Sequence, residues 1–397
     1  MNIHLLWQVA FWLSAAVVVY AYLGYPALVW WLARRRLALE HETPPDDALP
    51  TASLLIAAHN EADVIEARIR NALALDYPAD KLEIVVASDG STDGTNEIVR
   101  RFVGPRVRLL EFTPRRGKAA TLNAAVRYLR GELVMFSDAN TFWDGSAARA
   151  LGRWFGDPAV GVVCGRLQLI DPASGNNVDS LYWRYETFLK RCEARLGVLL
   201  GANGAIYAMR RRLVEPIPDD TIVDDFVIPL SAYLRTDCRM IYDSSATASE
   251  ETPARLSCEF RRRARIGAGG FQSLARLGGL CHWRHGWLAF AFISHKLCRW
   301  LAPFGLVAAL ATNVALTGTP AFRALLAGQA AFYALAAVGG FFPGRHPLFR
   351  LARAATLFTS VNLALLVGCW RWLSGHQRGV WQRTVRAPSP ADLAPVH

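Results

Sequence analysis

Two short acidic clusters carry the strongest chemical signal in the sequence. In the first, Val134, Met135 and Phe136 lead into Ser137, Asp138, Ala139 and Asn140, an apolar run that ends in oxygen-bearing side chains. Strand alternation sets Asp138 and Asn140 on one side, two residues apart. A hard divalent cation held there by one or two protein oxygens could bridge the phosphates of a diphosphate leaving group, with Asp138 as its ligand. The same residue types are common in plain strand-end turns. The second cluster is Asp224 and Asp225 in TIVDDFVIPL. A carboxylate in reach of a hydroxyl can act as its base, since the hydroxyl's own pKa lies far above neutral. Repulsion from Asp224 would raise the pKa of Asp225, although two acids before an apolar run also read as a helix N-cap pair.

The elements that must position these residues are legible as alternating short apolar runs and longer amphipathic stretches from 51 to about 243. SLLIAAHN, LEIVVASDG, VRLLEF and ELVMFSDAN read as strands, and EADVIEARIRNAL, TNEIVRRF and KAATLNAAVRYLR as helices. That alternation predicts an α/β domain with a mostly parallel sheet. Ligands of open α/β sheets bind at the carboxyl ends of the strands, where three of these runs carry polar clusters. Between the acidic clusters lies GANGAIYAMRRR, in which Gly201 and Gly204 permit close backbone approach and Arg210, Arg211 and Arg212 supply cations. It also reads as an ordinary turn before a basic helix start.

The series AAHNEA, VASDGSTDGT, RRGKAATLN, FSDAN and VDDF, in this order and spacing, resembles a membrane-bound family 2 glycosyltransferase with a GT-A, Rossmann-like fold. Bacterial exopolysaccharide, hyaluronan and cellulose synthases are of this kind. The resemblance covers about 51–265. It implies that Asn60 and Glu61 sit at the nucleotide end of the first strand, Asp89 against the base or ribose, and Lys118 near the donor phosphates. Lys118 alone would also pass for a solvated loop lysine. The resemblance further implies an Mg2+ or Mn2+ ion on Asp138 and Asn140, and Asp225 as the base of an inverting attack with Asp224 shaping the turn. Gly201, Asn203 and Gly204 would form an acceptor-side wall. The family usually has a second carboxylate where this chain has Asn140, and an amide oxygen ligates without contributing charge. Processive members carry a glutamine, two residues, arginine and tryptophan where this chain has Arg262, Arg263, Ala264, Arg265 and Ile266. Only Arg265 matches, as a donor-side cation, so a threading polymer and a lipid-linked acceptor both stay open.

Flanking segments place this domain at a bilayer. The run 5–32 has no charged residue and is followed by Arg34, Arg35 and Arg36. About 20 apolar residues suffice to span, and charges after rather than before the run mark an uncleaved anchor with the following residues cytoplasmic. Residues 37–50 read as a linker, 51–250 as the transferase domain and 251–300 as interfacial amphipathic helices, with five arginines in EFRRRARIGAGGFQSLARLGGL. In 301–374, the runs 301–316 and 321–342 form a hairpin around 317–320. A third run, 354–373, is expected to take an interfacial or re-entrant course, which returns the tail 375–397 with Arg378, Arg383 and Arg386 to the cytoplasm. His295 and Lys296 are expected to mark the water boundary.

The 397-residue chain is 52% hydrophobic, and its 44 basic against 33 acidic residues give a net charge of +11. Because much of that excess adjoins apolar stretches, it points to anionic lipid or phosphate and not to nucleic acid. Seven scattered cysteines without paired spacing suit a reducing compartment with no structural disulfide. Cys281, His282 and His285 have loose metal spacing but lack a fourth ligand for zinc. The expectation is a multi-pass protein of a bacterial inner membrane that moves a sugar from a nucleotide diphosphate donor, a UDP-sugar first of all, to a lipid-linked or growing polysaccharide acceptor. A membrane-anchored binding subunit that has lost activity is the alternative. A nucleotidyltransferase would share the sheet but has no need of membrane spans.

Overall fold

Strands β1 (Ala52–Ala58), β2 (Leu82–Asp89), β3 (Val107–Phe112), β4 (Leu133–Asp138), β5 (Thr141–Trp143), β6 (Val160–Ile170), β7 (Tyr207–Arg210) and β8 (Arg239–Glu251) form one sheet. Its order in the computed structural model is β3-β2-β1-β4-β7-β6-β8-β5. The structure describes residues 3–37, 42, 44–170, 181–251, 256–339 and 347–377. They divide into an α/β unit, Ala33–Cys258 with Leu277–Leu280, and a helical unit, Met1–Leu32, Glu259–Arg276 and Cys281–Gln377.

In the α/β unit β1 pairs in parallel with β2 and β4, β2 with β3, and β6 with β8. The contacts of β7 with β4 and β6, and of β5 with β8, are antiparallel. β1 is buried throughout, with both its faces covered as in parallel sheets generally, and is apolar except for Ser53. The helix Ala62–Leu73 turns Ile65, Ile69 and Ala72 into the core. Each fully buried Leu or Ile contributes roughly 1.5–3 kcal/mol by leaving water, which fixes the register that matters here. Ala58 lies opposite Ser88, and Ala57 opposite Asp138, so the loops after β1, β2 and β4 emerge side by side.

The helical unit holds four helices long and apolar enough to cross a membrane: Ile3–Ala33, Trp283–Ala315, Pro320–Val338 and Phe349–Leu373. Their outward positions carry Trp7, Trp12, Leu13, Val307 and Trp370, a surface suited to lipid. The hairpin around 317–320 is present, but its first helix begins at Trp283 instead of 301. His295 and Arg299 interrupt the apolar run in sequence, yet both are buried and hydrogen-bonded to each other at 3.1 Å. The segment 354–373, expected to take an interfacial or re-entrant course, lies within Pro347–Leu373, one 27-residue helix. Its one internal glycine, Gly368, serves close packing, since a Cβ there would lie 2.6 Å from Ala264 O on the helix Leu256–Arg276. Of the tail expected in the cytoplasm, residues 378–397 lie outside the described residues.

Candidate active site

The two acidic clusters meet around one ammonium. Asp138 is the last residue of β4, Lys118 the first of the helix Lys118–Val126, and Asp224 the first of the helix Asp224–Thr236. Lys118 Nζ donates to Asp138 Oδ1 at 2.8 Å and lies 3.4 Å from Asp224 Oδ2. Asp225 Oδ2 accepts from the Gly204 amide at 2.9 Å, and the Asp225 carbonyl accepts from Ala202 N at 2.9 Å. Asp224 and Asp225 thus begin the helix instead of capping it, and their charge is favoured by the positive end of its dipole. Beneath them Tyr207 stacks on Phe136 with ring centroids 4.5 Å apart.

The electrostatics of this cluster are directional. Burial and then the repulsion of Asp224 push the Asp225 carboxyl above its ordinary range, against the pull of Lys118 and the Gly204 amide. Burial opposes the charge on Lys118, but Asp138 and Asp224 outweigh it and hold the ammonium above its usual pKa. A carboxylate made more basic next to a fixed cation is the arrangement required for taking a proton while an anion leaves.

The glycines of the 201–204 loop are required by this geometry. Gly201 has φ +84°, and a Cβ on it would stand 2.6 Å from Phe226 Cδ2; a Cβ on Gly204 would stand 3.2 Å from Asp225 Oδ2. Asn203, expected on the acceptor-side wall, is hydrogen-bonded to β6 and to Lys190. Its Nδ2 donates to Gly165 O at 2.8 Å and its Oδ1 accepts from Lys190 Nζ at 3.0 Å, so the amide holds the loop in place.

The nucleotide-side residues divide similarly. Asn60 adopts φ 55° after β1, and its Oδ1 accepts from Thr92 N at 2.8 Å, while Glu61 N donates to Thr95 Oγ1 at 2.9 Å. These bonds join the loops after β1 and β2. Asp89, expected against the base or ribose, is engaged by the backbone of the turn before Lys118. Asp89 is fully buried, and its two carboxylate oxygens accept from Arg116 N at 2.7 Å and Gly117 N at 2.9 Å. It clamps the turn that delivers Lys118. Arg265 belongs to the helical unit and is not among the residues that the α/β unit brings together.

Asn140 also departs from expectation. β4 ends at Asp138, so strand alternation does not extend to Asn140, which lies in the turn before β5. Its Nδ2 donates to Glu250 Oε1 at 3.0 Å. The donor types nevertheless fit Mg2+ or Mn2+: the Asp138 carboxylate and the Asn140 amide oxygen are hard oxygen ligands, and Asp138 already pairs with a cation. Among the described residues no three His, Cys, Asp or Glu side chains form a metal cage.

Sequence reasoning missed Arg68. Completely buried, it donates to Ser137 Oγ at 3.1 Å and Asn71 Oδ1 at 2.8 Å and lies over Trp143. Burial pushes its pKa down to about 9, against the pull of Asp138. The available signal was an arginine on the same helix face as Ile65 and Ala72.

Residues 53–216 match the sequence model of glycosyl transferase family 2. The chain is similar to a poly-beta-1,6-N-acetyl-D-glucosamine synthase of Staphylococcus aureus (strain MSSA476), with 27% identity over 243 residues, 58% of this chain and 57% of that one. The synthase of the same name from Staphylococcus epidermidis is 25% identical over 237 residues, 56% of this chain and 55% of that one. The chain therefore matches little more than half the length of these relatives. Among solved structures it is similar to the mannosyltransferase PcManGT from Pyrobaculum calidifontis in complex with GDP-Man and Mn2+. The TM-score is 0.67 at 25% identity, covering 92% of this chain and 99% of that one. The fold is GT-A.

Proposed function

We propose an inverting, metal-dependent transferase, a reading supported by the match of residues 53–216 to the model of glycosyl transferase family 2. It moves a hexosyl or N-acetylhexosaminyl group from a nucleoside diphosphate, UDP first, to a lipid-linked or growing polysaccharide at a bacterial inner membrane. The observation that carries this reading is the joint placement of Lys118, Asp138, Asp224 and Asp225 where the loops after β1, β2 and β4 emerge. The names of the staphylococcal relatives favour an N-acetylhexosamine, and the four long apolar helices favour a membrane acceptor. Arg34, Arg35 and Arg36 favour a cytoplasmic α/β unit.

In this mechanism Asp225 accepts the proton of the acceptor hydroxyl. The hydroxyl oxygen bonds to the anomeric carbon from the face opposite the nucleotide. The bond from that carbon to the diphosphate oxygen breaks, and its electron pair leaves with the nucleoside diphosphate. Lys118 and the amides at its helix N-terminus stabilise the departing charge. Asp138 and Asn140 would hold a Mg2+ or Mn2+ ion, whose chemistry is to neutralise the diphosphate. Asp89 keeps the turn of Lys118 in place, and Gly204 holds the carboxylate of Asp225.

The test is release of nucleoside diphosphate by purified protein in detergent with native lipid extract, across a panel of UDP- and GDP-sugars, with and without manganese. Metal-dependent release from one donor is the expected result. Silence across the panel, together with no donor binding, contradicts the reading and favours a binding subunit.

A further inference from the structure

Asn140 stands where the family pattern has a charged ligand, and the fold brings a carboxylate to its side from far along the chain. β5 pairs with the end of β8, setting Thr141 opposite Glu250. The pairing delivers Glu250 to the turn after Asp138, and its Oε1 accepts from Asn140 Nδ2 at 3.0 Å. An ionised carboxylate only accepts hydrogen bonds, so of the two ends of the amide only the NH2 can face it. Glu250 thereby fixes which way the amide of Asn140 is turned.

The geometry points to Glu250 as the positioning residue that makes Asn140 a metal ligand. With Nδ2 committed to Glu250, the oxygen is the end of the amide left for a cation beside Asp138. The negative charge behind the amide also polarises it toward its oxygen, which strengthens a neutral ligand. The pair of Asn140 and Glu250 thus does here what a second ligating carboxylate does in the usual pattern: Asn140 supplies the oxygen and Glu250 the charge. This inference rests on the metal-dependent reading above.

The experiment measures Mn2+ affinity by electron paramagnetic resonance on the full chain in detergent, with UDP and GDP in parallel. Glu250→Gln keeps the shape but removes the charge, and glutamine can present either a donor or an acceptor to Asn140. Its Mn2+ dissociation constant is expected to rise about 10- to 100-fold, the usual effect of losing a partner behind a metal ligand. Asn140→Asp alone places two carboxylates in contact and recovers little through their repulsion. The exchange Asn140→Asp with Glu250→Gln restores the hydrogen bond with its polarity reversed, and is expected to bind Mn2+ at least as tightly as the unaltered chain. A merely structural role for Glu250 would lower the thermal midpoint of Glu250→Gln without this recovery. Affinity within twofold of the unaltered chain for Glu250→Gln, or no recovery in the exchange, overturns the inference. If the unaltered chain binds no Mn2+ with either nucleotide, the metal reading itself fails, which is a distinct result.

Discussion

The ammonium of Lys118 is salt-bridged to Asp138 at 2.8 Å, tying the first residue of one helix to the last residue of β4. A divalent cation on Asp138 must therefore compete with a cation the chain already supplies. Lys118 is also close enough to Asp224 to remain paired when Asp138 takes a metal.

Lys118→Met separates the two roles of this ammonium. Removing the competing charge should tighten Mn2+ binding in the absence of donor by about tenfold, equivalent to about 1.4 kcal/mol. Turnover should fall by about 10²- to 10³-fold, because the departing diphosphate loses a fixed positive group. Metal titration beside steady-state kcat checks both signs; a parallel loss of metal binding and turnover contradicts the competition.

The pH dependence follows from Asp225. Its folded pKa is raised, and the base acts only when deprotonated, so kcat/KM should fall with acidity at a pH above the ordinary carboxylate range. Asp224→Asn removes a repulsion that contributes to that shift. The acid limb of the kcat/KM profile should move to lower pH in this variant, and a limb that stays in place or moves up argues against Asp225 as the titrating group.

Arg68 predicts a stability effect with a functional consequence. Arg68→Ala opens a cavity and leaves the side chains of Ser137 and Asn71 short of a partner in the core. The cost is expected to be about 2–4 kcal/mol, from the cavity and from the lost hydrogen bonds of a charged donor. Denaturant unfolding of the α/β unit measures it. Because Ser137 precedes Asp138, residual folded protein should also bind Mn2+ more weakly.

What the sequence made legible was local. The apolar runs of β1, β2 and β4 and the amphipathic helix Ala62–Leu73 follow from side-chain period, and the runs ending at Asp89 and Asp138 showed where polar groups collect. The later strands β5, β7 and β8 were not visible, since β5 has three residues and its partner lies more than a hundred positions away. Asn140 could be read as a weakened ligand, but its bond to Glu250 spans 110 positions and no local pattern announces it. Asp89 shows the same limit. Its place at a strand end was readable, whereas the engagement of both its oxygens by the turn before Lys118 depends on how that turn folds back.

The central claim is that Asp225 takes the proton in sugar transfer, and Asp225→Asn tests it most directly. The asparagine keeps the shape and the first helical turn but cannot act as a carboxylate base. Donor affinity and turnover are to be measured on the same preparation, with the metal and the donor that the unaltered chain uses. Donor binding within about twofold of the unaltered chain, with turnover lower by about 10²- to 10⁴-fold, is the predicted result. Transfer at a rate near that of the unaltered chain would contradict the account.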